Sequence, residues 1–276
     1  MTVTLSGFAD EISADPAEQF AVLAAESITH LELRSAWSTN VADFSGVQLG
    51  AFRLACRAAG LRVSAIGSPI GKIPVGAPLE PELDRMRRIA EIADELGTRL
   101  VRVFSFYIPA GEPPERYRAQ VIDRMGALAR IAEERGVILA HENEKEIYGD
   151  VPERCADLIA SVNSPALRAT FDAANFVQCG VRPFTDAYAL LRPYLVYLQV
   201  KDARAADGEV TPAGQGDGEM RETLVALRDS GFAGYMSLEP HLDLAGRQGG
   251  FSGPDKFRQA AQALKRLLDE ESIGWQ

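Results

Sequence analysis

The stretch Val137-Ile138-Leu139-Ala140-His141-Glu142-Asn143-Glu144-Lys145 sets the reading of the chain. Its apolar run Val137-Ile138-Leu139 reads as a buried strand, so Glu142 falls where a strand ends and a polar loop begins. Three later apolar runs end the same way. Leu167-Arg168-Ala169-Thr170-Phe171 runs into Asp172, Tyr197-Leu198 into Gln199, and Met236-Ser237-Leu238 into Glu239. Each follows the last by about one strand-plus-helix unit. Oxygen-bearing side chains on successive units of one architecture point to a shared site.

The same unit repeats outward from this stretch. Toward the N-terminus, strands are expected over residues 3–8, 30–34, 61–66 and 100–104, each followed by a helical pattern. Asp15 as N-cap before Pro16 opens the first helix, and Gly60, Gly97 and Gly136 close later ones. Toward the C-terminus, helices are expected over 152–162, 185–191, 219–229 and 254–270, with strands at 195–200 and 235–238. The strands end near Phe8, Arg34, Gly67, Phe104, Glu142, Asp172, Gln199 and Glu239. Eight alternating strands and helices in roughly 250 residues predict an α/β fold, a closed (β/α)8 TIM barrel. No linker divides the chain, so residues 1–276 are read as one domain. An open doubly wound sheet is disfavoured because no GxGxxG follows the first strand.

A formal net charge of −10 opposes a nucleic-acid partner or an acidic membrane surface. The three cysteines, Cys56, Cys155 and Cys179, are far apart and show no CxxC spacing, so neither a disulfide framework nor a zinc knuckle is indicated. The N-terminus lacks a basic, apolar leader, and no run of about 18 apolar residues occurs. A cytoplasmic protein with no membrane partner is expected. A homo-oligomer is compatible with the sequence.

In such a barrel the C-terminal strand ends converge on one mouth, where active sites are built. Glu142, Asp172, Gln199 and Glu239 come from units five to eight. Three carboxylates held within a few ångströms repel one another unless a cation neutralises them, and a divalent metal is the natural resolution. Three carboxylates and an amide oxygen form a hard ligand set, which favours Mn²⁺ or Mg²⁺ and tolerates Co²⁺ or Zn²⁺. A metal there could clamp a carbonyl and its neighbouring hydroxyl, while Glu142 and Glu239 remove and return a proton. That chemistry isomerises or epimerises a hydroxy-ketone through an enediolate held at the metal.

The segments His141-Glu142-Asn143-Glu144, Phe171-Asp172-Ala173-Ala174-Asn175, Gln199-Val200-Lys201-Asp202-Ala203 and Ser237-Leu238-Glu239-Pro240-His241 resemble those of the sugar phosphate isomerase/epimerase family, the xylose isomerase-like TIM barrels. The resemblance runs from Gly7-Phe8-Ala9-Asp10-Glu11 to the last helix. It implies a metal site at Glu142, Asp172 and Glu239, with Glu142 and Glu239 doubling as acid and base. The chain departs from the family's pattern twice: Gln199 stands where a histidine is common, and Asn175 where another often follows the strand-six aspartate.

Asn175, Lys201, Asp202 and His241 are the expected contacts to a small carbohydrate substrate, a keto-sugar, polyol or sugar phosphate. His141 alternates with Glu142 and is expected to point away from it. Gly214, Gly216 and Gly218 read as loop mechanics, with an anion on their amides as the alternative. A metal-dependent lyase on the same scaffold and a non-catalytic sugar-binding barrel stay open. Phosphodiester hydrolysis by a multi-zinc cluster is disfavoured by a total of three histidines.

Overall fold

The computed structural model describes residues 1–242 and 252–276. Eight parallel strands form the barrel: β1 Thr2–Gly7, β2 His30–Leu33, β3 Arg62–Ile66, β4 Leu100–Val103, β5 Ile138–Glu142, β6 Leu167–Asp172, β7 Leu195–Val200 and β8 Tyr235–Leu238. Each pairs with its successor from β2 to β8, and β8 pairs with β1. A parallel bridge between Phe8 and Glu32 closes the ring between β1 and β2. A last two-residue strand, Gly274–Trp275, adds to the outer edge of β1.

The helices form where local chemistry favours them. They are α1 Pro16–Ala25, α2 Gly46–Ala58, α3 Glu80–Leu96, α4 Arg118–Arg135, α5 Pro152–Val162, α6 Ala173–Gln178, α7 Met220–Asp229 and α8 Gly253–Glu270. Asp15 accepts the Ala17 amide at 3.0 Å, and Ser45 with Gln48 forms a reciprocal capping box at α2. Gly97 and Gly136 end α3 and α4 in the left-handed conformation that glycine adopts without steric cost.

The sixth unit departs from the expected single helix. The short α6 starts directly on Asp172, and a π-helical turn over Pro183–Tyr188 continues into Ala189–Leu191. The loop after β7 also carries a small antiparallel ribbon, Asp202–Ala203 against Val210–Thr211.

Apolar side chains such as Leu5, Leu31, Val101, Leu139, Phe171, Leu198 and Met236 are buried in one core cluster with residues of the surrounding helices. Alternate strand positions carry polar residues that are buried as well, among them Ser6, Glu32, Ser64, Arg102, Thr170, Gln199 and Ser237. Ser6 Oγ meets Ser64 Oγ at 2.6 Å, and Ser64 Oγ meets Tyr197 OH at 2.9 Å, so β1, β3 and β7 touch through polar side chains across the barrel. The three cysteines are free thiols. Among the described residues, no helix is long and apolar enough to cross a membrane.

Candidate active site

Parallel register carries the four strand-end residues to one mouth. Glu142 on β5 stands opposite Thr170, Asp172 on β6 opposite Gln199, and Gln199 on β7 opposite Ser237 of β8. Glu239 follows β8, and its amide donates to the Val200 carbonyl at 3.1 Å, which fixes its backbone beside β7. One carboxylate oxygen from each of Glu142, Asp172 and Glu239 lies within 4.8 Å of the others, and all three residues are buried.

Cations crowd this cluster. Lys201 Nζ lies 2.9 Å from Glu239 Oε2 and 3.1 Å from Asp172 Oδ2. Arg102 Nη1 sits 3.2 Å from Glu142 Oε2, and the Arg102 guanidinium lies over the rings of Phe8 and Phe104. Arg34 donates from Nη1 to Glu239 Oε1 at 2.8 Å, from Nε to Asp10 at 2.7 Å and from Nη2 to Glu11 at 2.7 Å. His241 Nε2 lies 3.1 Å from Glu11 Oε1 and 3.5 Å from Glu239 Oε1.

These neighbours split the acids. Burial raises the Glu142 carboxyl above its ordinary range; Arg102 opposes this and the nearby Glu239 charge reinforces it. Burial likewise lifts Asp172 to about 7, against the pull of Lys201. Burial would raise Glu239 too, but Lys201, His241, Arg34 and Arg102 outweigh it and hold that carboxyl well below its ordinary range.

Asn175, in the first turn of α6, donates from Nδ2 to Glu142 Oε1 at 3.0 Å, and its amide donates to Asp172 Oδ1 at 2.8 Å. Asn143 ties the two strands together: its Nδ2 donates to the Asp172 carbonyl and its Oδ1 accepts the Asp172 amide. Gln199 donates from Nε2 to Glu32 Oε1 at 3.3 Å, and its own carbonyl oxygen is buried without a hydrogen-bond partner.

Asp202 is placed differently from its expected contact with substrate. It is fully buried, and its two oxygens accept the amides of Ala203, Gly214, Gly216 and Gly218 at 2.8–3.0 Å. None of these bonds reaches the acid cluster. The glycine amides do meet an anion, and it is the chain's own. A Cβ at Gly216 would lie 2.5 Å from both the Ala203 carbonyl oxygen and Asp202 Oδ1, so the close approach needs glycine. His141 points to Ser105 Oγ at 2.9 Å, and burial lowers its imidazole to about 4.

Sequence reasoning missed Arg34, Arg102, Glu11 and Glu32. Each was visible as a charge in or beside a short apolar strand, where an unpaired charge is costly. Reading those charges as partners of acids on distant strands would have found the cluster's cations.

The donor set suits a divalent cation. Gln199 Oε1 is buried with no partner, and Glu142 Oε2 and Asp172 Oδ2, buried as well, have only their ion pairs with Arg102 and Lys201. Among the described residues, Arg34, Arg102 and Lys201 are the permanent cations that pair with acids of this cluster. Hard oxygen donors of this kind fit Mn²⁺ or Mg²⁺.

Residues 20–267 match the sequence model of the xylose isomerase-like TIM barrel family. The chain belongs to that family. Over 161 residues this family member is 33% identical to the 2-epi-5-epi-valiolone 7-phosphate 2-epimerase of Actinoplanes sp., covering 58% of this chain and 56% of that one. It thus spans little more than half the length of that curated relative. A solved D-tagatose 3-epimerase-like protein superposes with a TM-score of 0.78 over 98% of both chains, at 17% identity. A xylose isomerase-like TIM barrel protein from Mycobacterium smegmatis, solved in complex with magnesium, superposes with a TM-score of 0.65 at 18% identity, covering 96% of this chain and 97% of that one.

Proposed function

We propose that this family member is a divalent-metal-dependent isomerase or epimerase of a small keto-sugar, polyol or sugar phosphate. The observation that carries the reading is the buried three-carboxylate cluster, in which one oxygen from each of Glu142, Asp172 and Glu239 lies within 4.8 Å of the others. Of the two glutamates, one takes the proton from the carbon between carbonyl and hydroxyl and the other returns one. Asn175 orients Glu142 through its Oε1, and Arg34 orients Glu239.

Glu142, Asp172, Glu239 and the free oxygen of Gln199 would hold the metal, which supplies Lewis-acid polarisation of the substrate carbonyl. Lys201 and His241 stand at the cluster as contacts for substrate oxygens. The 2-epimerase relative supports the epimerase reading and a phosphorylated substrate among those to be tried.

The test is turnover on a panel of keto-sugars and their phosphates in D₂O. Deuterium should appear at the reacting carbon, and E142Q and E239Q should each lower turnover by roughly 10²- to 10⁴-fold, the range of acid/base groups. Turnover without deuterium, with both variants fully active, would remove the proposal; product short by one water would move it to a lyase.

A further inference from the structure

Among the described residues, three permanent cations touch the acid cluster, and they are not held alike. Arg34 is pinned through three nitrogens by Asp10, Glu11 and Glu239. Arg102 donates from Nη2 to the carbonyls of Gly67 and Ser68, 3.2 Å from each, and its guanidinium packs on two rings. Lys201 makes ion pairs with Asp172 and Glu239 and, among the described residues, no other. Its ammonium sits on a flexible four-carbon stem, whereas the guanidinium groups are rigid and fixed from several sides.

The location of that ammonium matters. Metal-to-oxygen bonds for Mg²⁺ are about 2.0–2.1 Å, so an ion shared by oxygens that lie within 4.8 Å of one another has to sit among them. Lys201 Nζ is already there, 2.9 Å and 3.1 Å from two of the three acids. A divalent ion and a buried ammonium so close together repel strongly and compete for the same oxygens. An ion bound to those oxygens and the ammonium therefore compete for Asp172 and Glu239.

We infer that Lys201 is the resident cation of the three-carboxylate cluster in the metal-free protein, and that a divalent metal enters only by displacing its ammonium from Asp172 and Glu239. The inference rests on reading the cluster as a metal site. In the metal-free state the ammonium neutralises two acids that burial would otherwise leave repelling each other. On displacement it becomes a free donor, which makes metal entry and the opening of a substrate contact one event.

Mn²⁺ affinity of chelator-stripped protein, measured by competition with a chromophoric chelator, tests this without any substrate. K201M removes the ammonium and keeps most of the stem; K201Q is a second neutral variant, carried in case the first folds poorly. Both variants should bind Mn²⁺ at least ten-fold more tightly than the wild type. Without metal they should melt lower than the wild type, and Mn²⁺ should raise their melting temperature by more. Equal or weaker Mn²⁺ binding by the variants overturns the inference and leaves the metal reading intact when the wild type itself binds Mn²⁺. Binding by the variants alone keeps Lys201 as the resident cation but overturns its displacement by metal, and with it the metal-dependent reading of the natural chain. No binding by any of the three proteins removes both.

Discussion

Burial keeps a proton on Glu32, whose carboxyl is pushed up to about 8 despite the Arg102 guanidinium nearby. In the unfolded chain the same group loses its proton near 4.5. Between those values the folded state binds the extra proton, so this residue makes stability fall as pH rises from about 5 to about 8. E32Q keeps the shape and removes the titration. Denaturant midpoints of wild type and variant should therefore diverge in the variant's favour as pH rises through that window, and parallel curves would show that Glu32 is ionised in the fold. The residue also steers its neighbour: because Glu32 accepts from Gln199 Nε2, the free end of that amide is its oxygen. A hard, neutral oxygen is thus what Gln199 presents.

The loop after β7 shows how an element can be organised around one buried acid. Four backbone amides converge on Asp202, three of them from glycines of the Gly214–Gly218 segment. D202A should strand those donors and cost about 3 kcal/mol of stability, as loss of several charge-assisted bonds does. The check is an equilibrium unfolding curve for D202A beside D202N, which keeps one acceptor oxygen and should lose less. The spacing of those glycines was legible in the sequence, but their partner was not, since an acid at a barrel mouth reads equally well as a substrate contact. Strand ends were legible to within a residue or two because short apolar runs stop abruptly at polar ones. The split helical segment after β6 was not: the Asp172 carboxylate caps α6 directly, and that cap uses the same side chain that pattern reading assigned to the metal.

On the scale of the whole molecule, the barrel works by bringing groups far apart in sequence into one buried cluster. Arg34 and Glu239 lie at opposite ends of the chain, and the bridge from Phe8 to Glu32 that closes the ring also brings β1 and β2 to the site. Strand-helix alternation made that closure readable, and closure made convergence of Glu142, Asp172, Gln199 and Glu239 an expectation. The cations were hidden because alternation reports which side of a strand a residue occupies, not which residue it meets across the barrel. Whether these four residues hold a divalent ion can be read from crystals grown with Mn²⁺, in an anomalous difference map. One strong peak bonded to Glu142, Asp172, Glu239 and Gln199 Oε1 is expected, with Lys201 Nζ withdrawn from Asp172. A map with no peak at the cluster, and the ammonium still between Asp172 and Glu239, would overturn the metal site.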